Sequence, residues 1–69
     1  MDDKERRELI RKLFAIITGK LEDAAGAAAE GQGANLDHQQ ILQLSSQICS
    51  ASEEVAILAE VTSAFAADD

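Results

Sequence analysis

Residues 41–66 read ILQLSSQICSASEEVAILAEVTSAFA, and the architecture follows from the order of apolar and polar residues in them. Ile41, Leu44, Ile48, Ala51, Val55, Leu58, Thr62 and Phe65 succeed one another at alternating steps of three and four. A helix gathers that spacing onto one stripe, the seam of a coiled coil or helical bundle. One long helix over about residues 37–66 is therefore expected, with a continuous face for a neighbouring helix.

The entry to this helix is marked by three features. Asp37 suits the N-cap, and Gln40 three places on completes a capping box. Leu36 and Ile41 stand at the two positions of a hydrophobic staple. Just before it, Gly31-Gln32-Gly33-Ala34-Asn35 is the one clear break in the chain. Glycines past a helix end indicate a C-cap and a tight turn, here placed at residues 31–36.

Upstream of the break a first helix is expected over about residues 3–30. Asp2 with Glu5 three places on resembles a capping box. Leu9, Ile10, Leu13, Phe14, Ile16, Ile17, Leu21, Ala24, Ala25 and Ala28 recur at helical spacing. They spread over about half the circumference, more than the ~100° a helix with one neighbour needs. Gly19 and Gly26 sit seven apart on the opposite face. They read either as tolerated weak points or as places where a partner's backbone comes close.

Two long helices joined by a short turn make an antiparallel hairpin. With a five-residue turn, facing residues should have numbers that sum to about 66 or 67. That register sets Ile48 near Ile17, Leu44 near Leu21 and Leu58 near Ile10. It also brings Arg6 and Arg7 near Glu60, and Lys12 near Glu53 and Glu54. The expected fold class is all-α, one helical-hairpin domain over residues 1–69.

Composition limits what such a chain can be. It has 69 residues, no proline, two phenylalanines as its only aromatics, and 13 alanines. A core made largely of alanine removes little area from water, and domains this small are commonly completed by disulfides, metals or oligomerisation. One cysteine excludes an intrachain disulfide, and no metal-ligand spacing is visible. Oligomerisation remains, and two hairpins would form a four-helix bundle. The wide apolar face supplies the expected interface, shared with a second copy or another partner: Leu9, Ile10, Leu13, Phe14, Ile17, Leu21, Ile57, Val61 and Phe65.

The net charge of −7 is unevenly placed, since all six Lys and Arg lie in the first twenty residues. An acidic protein does not attract nucleic acid over its whole surface, so only Lys4, Arg7, Arg11 and Lys12 are candidate contacts. Glu5 and Glu8 interrupt that patch. No apolar stretch approaches a membrane span, and no apolar region follows Met-Asp-Asp-Lys-Glu-Arg-Arg as a secretory signal would require. With a lone cysteine, a cytoplasmic location is expected.

Candidate chemistry is sparse. Cys49 and His38 stand eleven residues apart, about 16 Å of helix rise, which is out of reach for a nucleophile and its base. Neither a metal site nor a cofactor is expected, and neither is enzymatic activity. Gln39, Gln43, Ser46, Gln47 and Ser50 instead form an uncharged polar strip that could hydrogen-bond a protein partner without a large desolvation cost. The expected function is that of a homodimeric interaction or regulatory module. A small RNA- or DNA-binding regulator and one half of an obligate heterocomplex are the alternatives. In length and hairpin layout the expected architecture is similar to small plasmid-copy-control RNA-binding hairpins of the Rop type. No motif carries residue roles across.

Overall fold

The computed structural model describes residues 1–67 as two helices joined by one turn. Helix α1 spans Asp3–Glu30 and helix α2 spans His38–Ala67. From the sequence the acidic end Asp68-Asp69 is expected to fray, and it lies outside the described residues. The helices pack side by side as an antiparallel hairpin 52 Å long and only 14 by 11 Å across. No described helix is long and apolar enough to cross a membrane.

Local chemistry sets the helix ends. Asp2 is the N-cap of α1, and its Oδ1 accepts from the Glu5 N–H at 2.8 Å. At α2 the capping box is reciprocal. The Gln40 N–H donates to Asp37 Oδ1 at 2.8 Å, and the Asp37 N–H donates to Gln40 Oε1 at 2.9 Å. Two backbone donors with no intrahelical partner are thereby satisfied. The exit from α1 is less abrupt than its glycines suggest. Gly31 is the C-cap but keeps a right-handed conformation, φ −64° and ψ −13°, and no described residue has positive φ. The chain leaves through bonds of the i→i+3 kind, Gln32 N–H to the Ala29 carbonyl and Gly33 N–H to the Glu30 carbonyl, each 3.1 Å. The turn therefore extends over residues 31–37.

The structure corrects the expected register, because the chain continues past the end of α1 through these i→i+3 bonds before it reverses. Ala27 and Gly31 lie beside Ile41, Leu44 and Ile48, and at the open end Arg6, Arg7 and Ile10 lie beside Ala66. Facing residues are thus displaced by about two helical turns from the expected pairing, so Ile48 meets Ala27 and not Ile17. The displacement has a packing reason. It sets the alanines of α1 against Leu44 and Ile48 of α2, small against large, where the expected register set large against large.

The seam on α2 is the stripe read from the sequence. Leu44, Ile48, Ala51, Val55, Leu58 and Phe65 are half-buried and Thr62 is buried, while Ile41 at the turn end stays exposed. Thr62 Oγ1 donates to the Leu58 carbonyl at 2.7 Å, so the buried hydroxyl is satisfied on its own helix. The seam on α1 is narrower than expected. It runs Arg6, Ile10, Leu13, Ile17, Lys20, Ala24 and Ala27, again at steps of four and three. Phe14, Ile16 and Leu21 lie outside it and are exposed. Lys20 keeps its aliphatic stem in the seam and carries its ammonium outward to Glu54. That pair takes the place of the expected contact between Lys12 and Glu54, and Arg6 pairs with Asp3 of its own helix at 3.2 Å.

Among the described residues only Ile17, Ala27 and Thr62 are buried. Truncating Ile17 should therefore be far more damaging than truncating its neighbour. Ile17→Ala is expected to cost about 2–4 kcal/mol, and Ile16→Ala, exposed on a flank, under about 1 kcal/mol, measured by urea unfolding followed by circular dichroism. Asp37→Ala removes one arm of the capping box and should lower stability by about 1 kcal/mol, a fall of several degrees in Tm.

Candidate functional site

The seams leave each helix with two flanks, and the residues on them follow from the register. Moving one residue forward from each seam position rotates 100° round the helix. On α1 this gives Arg7, Arg11, Phe14, Thr18, Leu21, Ala25 and Ala28. On α2 it gives Leu42, Ser45, Cys49, Ser52, Ala56, Ala59, Ser63 and Ala66. Both sets are exposed and both lie on the same side of the hairpin, where Ala28 adjoins Ser45 near the turn and Arg7 adjoins Ala66 at the open end. From Phe14 onward neither set contains a charge. We call this side the uncharged flank.

Moving one residue back from each seam position gives the opposite side. Here Lys20, Asp23, Gly26 and Glu30 of α1 share an open groove with Gln47, Ser50 and Glu54 of α2. Farther toward the open end the same heptad positions carry Leu9, Ile16, Ile57 and Val61. This flank therefore mixes ionised residues with a smaller apolar cluster.

The single wide interface expected from the sequence is thus three separate surfaces. Ile17 is buried within the hairpin, and Ile10, Leu13 and Phe65 are half-buried in the same seam. Phe14 and Leu21, 56% and 52% exposed, stand on the uncharged flank. Ile57 and Val61 are exposed on the other flank, 60% and 38%, with the half-buried Leu9 beside the seam on that side. The physical reason is the antiparallel pairing, which consumes the middle of each apolar arc and leaves its two edges pointing apart. The signal that separates them is the strict heptad of α1, obscured by apolar residues on either side of it. Lys20 and Ala27 belong to that heptad and were missed because one is charged and the other small.

The remaining candidates are placed as follows. Lys4, Arg7 and Arg11 line a shallow depression together with Asp3 and Glu8, while Lys12 lies on the other flank, seven residues before Gly19. Gln39, Gln43, Ser46, Gln47 and Ser50 are all exposed on α2, and the last three enter the groove beside Lys20 and Glu54. His38 is the exposed first residue of α2, and Cys49 is an exposed free thiol on the uncharged flank. No group of three or more His, Cys, Asp or Glu among the described residues could hold a metal ion.

Comparison of the chain with protein-family models, curated proteins and solved structures finds no match. The functional reading therefore rests on the surfaces themselves. Gly19 and Gly26 bear on them directly, because a Cβ built at either would meet nothing within 4 Å. Nothing in the hairpin requires glycine there. Gly19→Ala and Gly26→Ala are each expected to stabilise the protein by up to about 1 kcal/mol through helix propensity. A thermal melt checks this, and a loss of stability at either site would mark the close approach of a partner's backbone.

Proposed function

We propose that this chain is a non-enzymatic helical protein that works as a homodimeric protein–protein interaction or regulatory module, with two hairpins forming a four-helix bundle. The observation that carries the reading is its exposed area. The hairpin exposes 5230 Å², whereas a compact monomer of this mass would expose about 4200 Å². The excess, about 1000 Å² per chain, is close to the ~800 Å² that each partner contributes to a standard interface. A two-helix rod with three buried residues among those described gains most by covering that surface. In the dimer the strip of Gln39, Gln43, Ser46, Gln47 and Ser50 would stay available to a further protein.

A second reading is supported by Lys4, Arg7 and Arg11, which gather three cations on one side of the first turns of α1. Such a cluster would suit the phosphates of an RNA or DNA, against the pull of a −7 net charge. Under the leading reading, generic RNA and DNA give no shifted band at low salt. A complex abolished by Arg7→Ala with Arg11→Ala would replace it. An obligate heterocomplex is the third arrangement, in which a different protein would cover the same flanks.

The test of the leading reading is absolute mass by light scattering over a dilution series. The expected value is twice the 7.3 kDa of one chain, falling toward 7.3 kDa only at high dilution. A monomer at every concentration would direct attention to an obligate partner of different sequence.

A further inference from the structure

We propose that the uncharged flank is the surface on which a second copy of this chain docks, an inference that rests on the homodimer reading and specifies which of the two apolar flanks is used. Three observations carry it. The first is geometric. On both helices each flank is the hairpin seam shifted by one residue, so either one repeats the steps of three and four about 100° away from it, and charge and size choose between the two. A helix in a square four-helix bundle has its two neighbours at about a right angle, and needs two seams placed in this way.

The second observation is charge. An interface between identical copies is isologous, so the same patch meets itself and any charge in its centre is brought toward its own twin. A self-pairing surface is therefore best left uncharged. From Leu42 to Ala66 the flank contains no ionisable group other than the Cys49 thiol over about 36 Å of α2, and on α1 its only charges are Arg7 and Arg11 at the open end beside Ala66, away from the centre of the patch. The opposite flank carries Lys12, Asp23, Glu30 and Glu54 and receives the Lys20 ammonium, and desolvation of these charges would oppose docking.

The third observation is size. Ser52, Ala56 and Ala59 keep the α2 part of the flank flat, while Phe14 and Leu21 stand proud on α1 with more than half of each side chain exposed. Small residues let a second helix come near, and the large ones supply the apolar area that a stable contact needs. The exposed area beyond that of a compact chain of this mass, about 1000 Å², is enough for one such partner.

Two serines two residues apart provide a matched test. Ser52 is on the uncharged flank and Ser50 on the opposite one, and both are exposed. Ser52→Glu is expected to weaken the dimer by at least about tenfold, and Ser50→Glu to leave its dissociation constant within about twofold, measured by light scattering on dilution. The native thiol gives a readout that needs no destabilising change. Above the concentration at which wild-type protein dimerises, Cys49 should react with an aromatic disulfide reagent at least about tenfold more slowly than on dilution, because the second copy covers it. A Ser50→Cys thiol in a Cys49→Ser background should react at one rate throughout. A wild-type dimer in which Cys49 stays fully reactive, or in which Ser50→Glu is the disruptive change, would overturn the assignment of the flank while leaving the homodimer intact. A wild-type chain that is monomeric at every concentration would instead remove the homodimer reading itself.

Discussion

Two helices share only one contact line, and in this hairpin that line is thin. The side of each helix facing away from the seam must meet water or another molecule, whatever residues it carries. Alanine makes the line thinner still, since Ala24, Ala27 and Ala51 occupy seam positions that a larger residue could fill. The size pattern compensates locally, with Ala27 set against Leu44 and Ile48. It cannot compensate globally, and the seam shelters three side chains from solvent among those described. The exposed flanks, the wide apolar arc of α1 and the excess of surface all follow from that geometry.

Charge is arranged around the same line. Lys and Arg are confined to α1, and α2 carries Glu53, Glu54 and Glu60 with no Lys or Arg. An ion pair that crosses the hairpin joins Lys20 to Glu54. It is partly exposed, worth about 0.2–1 kcal/mol by analogy with other surface pairs, and acts more on alignment than on stability. Its position is informative because Lys20 belongs to the seam. Its stem packs as an apolar residue would, and its head leaves toward the charged flank, so the uncharged flank stays free of it.

Much of this was legible before any coordinates. The α2 stripe from Leu44 to Phe65 lines the seam, and the Asp37–Gln40 box closes with both hydrogen bonds because its residue types admit little else. Those features are local, fixed by neighbours within a turn or two. The register between helices was not legible, because it depends on how the chain climbs out of α1. Glycines 31 and 33 suggested an abrupt reversal, but they continue the right-handed path through i→i+3 bonds. The interface residues were only partly legible for a related reason. A helical wheel shows which side chains are apolar, and it does not show which third of a wide arc a neighbour will take. Phe14 and Ile17 are three residues apart in one apolar arc, yet one is exposed and the other buried.

The heptad of the two seams has one more consequence. A sequence that repeats every seven residues looks nearly the same to its partner after a slip of two turns, so apolar spacing alone does not say where the helices stop sliding. The alanines near the turn and the lysine in the seam supply the missing landmarks. It follows that the rod is a ruler graduated in sevens. Inserting a whole repeat into each helix would lengthen it and preserve both flanks. Inserting a single residue would turn everything beyond it by 100° and exchange seam for flank. Growth of such a protein is quantised, and its length is a count of repeats.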